Sequence, residues 1–211
     1  NLTIYTTDGG QTWNDCGFSP GIGPSTRVEI AYAPSNPSIV YASVDQNVGD
    51  LYQSTNGGQT FNVVNSGNSL LAGGDGTTQG IYTNIIWVNP QDPTFVIVGS
   101  LDLLRSTDSG ANFARMSRWQ SAPMTSAHAD HHMIVAHPGF NNTTNKTVYF
   151  GNDGGLYRTN DVSTATTTTG WTNMNNGLGI TQFYGAAANS TGVIVGGTQD
   201  NGSLKSNANV N

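Results

Sequence analysis

One eight-residue stretch recurs along the chain and limits its fold more than any other feature. Thr6-Thr7-Asp8-Gly9-Gly10-Gln11-Thr12-Trp13 returns as Ser54-Thr55-Asn56-Gly57-Gly58-Gln59-Thr60-Phe61, and again as Ser106-Thr107-Asp108-Ser109-Gly110-Ala111-Asn112-Phe113. A looser copy opens at Thr159-Asn160-Asp161 and closes at Gly170-Trp171, after a Thr-rich insertion. The third positions are residues 8, 56, 108 and 161, so the steps are 48, 52 and 53. A period of this size denotes like units stacked on their neighbours, because one such unit cannot bury its own apolar face. The stretch itself reads as a turn. Its hydroxyl, carboxylate and amide side chains can bond nearby backbone N–H groups, glycine supplies the positive φ of a tight hairpin, and the closing aromatic opens the next strand and can pack beneath the turn.

A second recurring feature completes the unit. Ala31-Tyr32-Ala33-Pro34-Ser35-Asn36-Pro37 matches Trp87-Val88-Asn89-Pro90-Gln91-Asp92-Pro93 and, with a longer loop, Val135-Ala136-His137-Pro138. Each opens a turn between two apolar runs, where proline ends a strand ladder. Every unit then contains four strands. Strand a is expected at Val28–Ala33, Asn84–Asn89, His132–His137 and Phe183–Ala188. Strand b is expected at Ile39–Ser43, Phe95–Gly99, Thr147–Gly151 and Gly192–Gly196. Strand c is expected at Leu51–Ser54, Leu103–Ser106, Leu156–Thr159 and Ser203–Ser206, and strand d begins at the aromatic. Four antiparallel strands in a unit of this length make a β-propeller blade, so the fold class is all-β. The blade parts fall near 1–25, 26–78, 79–125, 126–179 and 180–211. Leu2–Thr6 and Ser203–Ser206 both read as c-strands four repeats apart, so the expectation is about four repeats of a larger propeller, whose further blades or other chains would cover the edges.

Composition narrows the partners. Only 7 of 211 residues are Lys or Arg, against 13 Asp and Glu, and the net charge of −6 leaves no basic patch for nucleic acid. No apolar run reaches membrane-spanning length. Few cations together with abundant Thr and Asn point to an extracellular or cell-surface setting. The single cysteine, Cys16, excludes an intrachain disulfide and reads as a small structural residue. No cofactor is expected. Asn142, Asn145, Asn189 and Asn201 each begin a glycosylation sequon, a pattern that arises easily in an Asn- and Thr-rich chain.

The repeated S/T-x-D-x-G-x-T-W/F pattern resembles the Asp-box, the bacterial-neuraminidase repeat of sialidases, sortilin-type receptors, xyloglucanases and many secreted propellers. The resemblance in boxes covers nearly the whole chain. It implies a propeller in which Asp8, Trp13, Asn56, Phe61, Asp108, Phe113, Asp161 and Trp171 are structural turn residues. Asn56 departs from the pattern, and Asp161 and Trp171 are separated by the insertion. The stretch from His128 to Asn201 carries the likeness to secreted members best. A sialidase-like site would also need converging cations. Arg105 and Arg158 instead occupy equivalent c-strand positions, matched by Gln53 and Lys205, and no Phe/Tyr-Arg-Ile-Pro motif is present. The catalytic segments of xyloglucanases have no match here.

Antiparallel order puts the a–b and c–d turns on one face of the propeller and the d–a and b–c loops on the other. The repeated turns are c–d turns, and propeller ligands gather on the opposite face, near the central channel. That face is rich in polar residues. The approach to the third full unit reads Ser126-Ala127-His128-Ala129-Asp130-His131-His132, its b–c loop Gly151-Asn152-Asp153-Gly154-Gly155, and the following loops Ile180-Thr181-Gln182-Phe183-Tyr184 and Gly196-Gly197-Thr198-Gln199-Asp200-Asn201-Gly202. His128, His131, His132, Asn152, Gln199 and Tyr184 are the ligand-binding candidates. Histidine also suits acid/base work, and His128, Asp130 and His132 are candidate metal ligands. Strand alternation sends His131 and His132 to opposite faces. Asp130, Asp153 and Asp200 are the catalytic candidates, with Asp102 also on this face. A glycosidase needs two carboxyls about 5–5.5 Å apart to retain configuration or about 6.5–9.5 Å apart to invert it. The competing use of all these residues is structural: Asp-Gly and Asp-Asn-Gly are common hairpin turns. His137 and the Arg27–Glu29 pair read as structural.

The leading functional expectation is an extracellular propeller module that binds glycan or protein, or builds a cell-surface assembly. The alternative is a glycoside hydrolase, xyloglucanase- or sialidase-like, with its site on the face opposite the boxes.

Overall fold

The computed structural model describes residues 3–16, 27–74, 76–179, 181–199 and 202–206. They form five antiparallel sheets. The first pairs β1 (Ile4–Tyr5) with β2 (Asn14–Asp15). Three four-stranded meanders follow: β3 (Val28–Ala33), β4 (Asn36–Val44), β5 (Asp50–Ser54) and β6 (Asn62–Asn65); β7 (Ile85–Asn89), β8 (Asp92–Gly99), β9 (Leu103–Ser106) and β10 (Ala114–Arg115); β11 (His131–Ala136), β12 (Val148–Asn152), β13 (Gly155–Thr159) and β14 (Trp171–Asn173). The last sheet contains β15 (Phe183–Ala188), β16 (Ile194–Thr198) and β17 (Ser203–Ser206). One helical turn, α1 (Gly80–Thr83), precedes β7. The expected order of strands within each unit is therefore present. The b-strands of the first two full units reach back into their proline turns, starting at Asn36 and Asp92, and β11 begins one residue early, at His131.

Alternation along each strand divides the side chains between two neighbours. In β8, Val96 and Val98 pack with Tyr41 and Leu51 of the preceding sheet. Phe95 and Ile97 of the same strand pack with Phe150, Val148 and Ile134 of the following one. Tyr41, Leu51, Ile97 and Phe150 are fully buried, and each such side chain contributes about 1.5–3 kcal/mol. The core is thus a set of layers between sheets, and no sheet has a core of its own. The innermost strands β3, β7 and β11 lie side by side. The sheets do not close into a ring, and both faces of β15 are exposed.

Polar ties reinforce each layer. Tyr41 Oη donates to the Pro93 carbonyl at 2.9 Å and accepts from Gln53 Nε2 at 2.8 Å. Asn65 Nδ2 reaches the carbonyls of Gly110 and Ala111, and Arg105 donates to those of Val162 and Ala165 at 2.9 and 3.1 Å. Arg105 and Gln53 share the equivalent c-strand position; Arg105 ties its sheet to the next directly, and Gln53 holds the Tyr41 hydroxyl that does so.

The three close copies of the repeated turn share one hydrogen-bond plan. The leading hydroxyl accepts from a glycine amide: Gly10 N to Thr6 Oγ1 at 2.9 Å, Gly58 N to Ser54 Oγ at 2.9 Å and Gly110 N to Ser106 Oγ at 2.8 Å. The third residue accepts from the amide four positions on: Thr12 N to Asp8, Thr60 N to Asn56 and Asn112 N to Asp108. Asn56 keeps the plan because its amide NH2 donates to Thr60 Oγ1, where Asp8 accepts from Thr12 Oγ1. In the interrupted copy the plan changes: Asp161 accepts from the Ser163 amide and faces Lys146. Trp13 lies over Gly10 but remains more than half exposed, at 58%, so it does not pack under its turn as fully as the pattern suggests. Phe61 and Phe113 are half-buried against neighbouring core residues. Cys16 is buried, and its thiol donates to the Thr3 carbonyl at 2.9 Å.

Candidate functional site

The β12–β13 turn sits on the face opposite the repeated turns. Asn152 ends β12, and its Oδ1 accepts from the Gly154 amide at 3.1 Å. This Asx turn directs Asp153 back toward β11, where Asp153 Oδ1 meets His132 Nε2 at 2.9 Å. His132 is in turn held edge-on against Tyr82 of α1, with ring centroids 5.0 Å apart. Asn175, in the loop after β14, braces the turn from the other side: Nδ2 donates to the Gly154 carbonyl at 2.6 Å, and Oδ1 accepts from Leu156 N at 2.8 Å.

A cleft of about 660 Å³ opens between this turn and the last sheet. Asn152, Asp153 and Asn175 wall one side; Gln182, Phe183, Gln199 and Leu204 wall the other. Two polar atoms of the wall are buried without a hydrogen-bond partner: Asn152 Nδ2, a donor, and Asp153 Oδ2, an acceptor. Each unmet group costs about 1–3 kcal/mol. Among the described lining residues Asp153 is the one carboxylate, and no Lys or Arg is present.

A smaller cavity of about 270 Å³ lies next to it, walled by Leu101, Trp119, Met124, His128, Ala129 and Asp130 among others. The His128 ring divides the two spaces, because a side chain on Gly154 would collide with it. Beneath them, Asp102 is buried and accepts from Arg115 at 2.6 Å, from Trp119 N at 2.8 Å and from Gly74 N at 3.1 Å. Burial raises its pKa, against the Trp119 amide, the Arg115 charge and the Gly74 amide, which lower it. Its oxygens are committed to holding the loop.

The structure separates the sequence candidates. Asn152, Asp153 and Gln199 line the cleft. His128 and Asp130 line the smaller cavity, and Asp130 adopts a left-handed φ of 62°. His132 acts through Asp153. His131 is fully buried whereas His132 beside it is exposed, and the β11–β12 register shifts between His131 and Met133. Both ring nitrogens of His131 lack a hydrogen-bond partner, and burial, with His128 and His132 nearby, holds its pKa down at about 3. Tyr184 is 74% exposed and does not line the cleft. Asp200 lies outside the described residues. Among the described residues no group of three His, Cys, Asp or Glu could hold a metal ion; His128 Nδ1 is 3.2 Å from the Ala129 carbonyl, and His132 is engaged by Asp153. His137 holds its own loop through the Gly139 amide and Asn145, and Arg27 pairs with Glu29 at 2.8 Å. Sequence reasoning missed Asn175 and Trp119. Asn175 stands in an Asn-Asn-Gly run whose turn character hid its cross-loop bonds. Trp119 sits where the repeats have no counterpart.

Layered four-stranded meanders with adjacent inner strands define a β-propeller protein. Solved structures with the same fold include YCF48 bound to D1 peptide, with a TM-score of 0.50 and 13% identity over 97% of this chain and 58% of that one. They also include the GH74 xyloglucanase from Xanthomonas campestris, with a TM-score of 0.50 and 19% identity over 84% of this chain and 28% of that one. The chain thus spans little more than half of the first and about a quarter of the second. At these identities the likeness is one of fold. No protein-family model and no curated protein matches the sequence. No described helix is long and apolar enough to cross a membrane.

Proposed function

We propose that this chain is an extracellular propeller module that binds a polypeptide segment on the face built by its d–a and b–c loops. The observation that carries the reading is the unmet pair in the cleft wall, Asn152 Nδ2 and Asp153 Oδ2. Asn152 brings a donor and Asp153 an acceptor to the same wall, the two functions that the C=O and N–H of a peptide group require. Sugar hydroxyls could meet the same pair, but the rim favours protein. Leu178 lines the cleft and Met124 the neighbouring cavity, both exposed, and Ile81 and Tyr82 are exposed in the d–a segment before β7; aliphatic and thioether side chains suit protein surfaces better than sugar rings. The solution of YCF48 with a peptide supports a protein partner for this fold in general. The scarcity of Lys and Arg supports the extracellular setting.

A glycoside hydrolase would need a second carboxyl within about 10 Å of Asp153. Asp130 lines the neighbouring cavity, and Asp102 is held by Arg115, Trp119 and Gly74. The test is a peptide-display selection run beside a glycan array, on the wild-type chain and on an Asn152→Ala/Asp153→Ala variant. Peptides enriched by the wild type and lost by the variant are expected. Glycans retained by the wild type and lost by the variant, or turnover of any glycan abolished by Asp153→Asn, would overturn the reading.

A further inference from the structure

The cavity beside the cleft has a chemistry of its own. Trp119 walls it, and the indole Nε1–H is buried without a hydrogen-bond partner. Asp130, also in the wall and itself buried, brings a carboxylate. Leu101, Met124 and Ala129 supply apolar surface. The volume, about 270 Å³, suits one side chain and is too small for a folded element.

These groups select among occupants. An indole N–H donates and never accepts, so the occupant must bring an acceptor. A purely aliphatic side chain would leave the N–H unmet, and a lysine ammonium offers only donors. A carboxylate could accept, but it would stand beside the Asp130 charge in a poorly solvated space, where like charges repel strongly. A serine or threonine hydroxyl is short for the depth of apolar wall. A side-chain carboxamide suits these groups: its methylenes would meet Leu101, Met124 and Ala129, its C=O would accept from Trp119 Nε1 and its NH2 would donate to Asp130 Oδ1, with Thr77 and Gln79 completing the wall.

We propose that this cavity is a second pocket of the binding face and takes a glutamine or asparagine side chain. The inference rests on the polypeptide reading of the adjoining cleft. His128 is the partition between the two spaces, with its ring against Gly154. An extended segment crossing that ring presents alternate side chains to one side, so one residue enters the pocket while its neighbours lie along the cleft.

The test follows the four indole N–H resonances of the 15N-labelled chain, with the Trp119 signal identified from a Trp119→Phe variant. Three probes are titrated: N-acetylglutamine methylamide, N-acetylglutamate methylamide and N-acetylglucosamine. The glutamine probe is expected to move the Trp119 resonance at millimolar concentration, with the glutamate probe at least about ten-fold weaker because of the Asp130 charge. Asp130→Asn, which keeps the shape and tolerates the left-handed backbone, should bring the two probes to within about three-fold of each other. An immobile Trp119 signal with all three probes overturns the proposal. So does equal or tighter binding of the glutamate probe by the wild type, or a response to N-acetylglucosamine alone. Asn152→Ala should leave the glutamine titration unchanged, so failure of the cleft reading in the display experiment is distinguishable from failure of this pocket.

Discussion

His132 Nε2 and Asp153 Oδ1 meet at 2.9 Å across the open end of the β11–β12–β13 meander. The contact fixes one carboxylate oxygen and leaves the other, Oδ2, buried and unmet in the cleft wall. His132 is more than a third exposed, so screening limits the pair to about 0.5–1 kcal/mol. His132→Ala should therefore leave global stability nearly unchanged. Amide exchange at residues 152–155 should quicken by about two- to five-fold, as that stability difference dictates. Hydrogen-exchange mass spectrometry checks this; unchanged exchange across the turn would mean that Asn175 alone holds it.

Asp8 and Asp108 are held at a pKa of about 2, each chiefly by hydrogen bonds from the residue four positions on, Thr12 and Asn112. Their folded pKa lies below the unfolded value, so their contribution is complete above about pH 4 and is lost as pH falls through about 2. Asp8→Asn and Asp108→Asn should each flatten the loss of stability between about pH 4 and 2. The Asn56 turn, which carries no charge, provides the internal control. Urea midpoints measured across that range decide it.

His131 acts in the same direction over a higher pH range. Its folded pKa of about 3 lies below the ordinary 6.5, so the unfolded chain takes up a proton that the folded chain refuses. Stability should fall as pH drops below about 6.5, by up to about 1.4 kcal/mol per unit until the folded group titrates. His131→Leu, which keeps an uncharged buried side chain, should remove this slope while the carboxylate contribution at lower pH remains. Thermal melts of both chains between about pH 7 and 4 test it; parallel slopes would refute the assignment.

Glycines in equivalent turns should respond unequally. Gly9 has φ 71° and open space around it, whereas Gly110 has φ 91° and Leu51 of the preceding sheet directly in the path of a Cβ. Gly9→Ala should cost about 1–2 kcal/mol, from the backbone alone. Gly110→Ala should cost about 1–3 kcal/mol more, from overpacking the layer between sheets. Chemical denaturation of the two variants gives the comparison directly.

Much of the architecture was legible because it repeats. Copies of one turn numbered the units, and the proline turns placed the a and b strands, so sheet order followed from counting. Boundaries were less legible where a strand continues through its turn, as β4 and β8 do beyond Ile39 and Phe95. The site was legible only in part. Asn152, Asp153 and Gln199 stood out because their loops share a face, but alternation could not say that His131 would be buried without partners. Nor could it show that the smaller cavity would form around Trp119. Those facts depend on packing between sheets, which no local pattern records. Asn175 and Asn152 have the same turn-forming look in sequence; only the cross-loop bonds to Gly154 and Leu156 distinguish the brace from the wall.

The repeated turns close on themselves. Asp8 bonds Thr6 and Thr12 and needs nothing outside its own corner. Strands likewise pair with their immediate successors, and the ties between sheets reach only to the next unit. A chain wired over such short sequence distances meets little loop-closure entropy at each step. Its natural order of assembly is that of synthesis: each corner snaps shut as it emerges, and each finished meander presents a ready template for the one behind it.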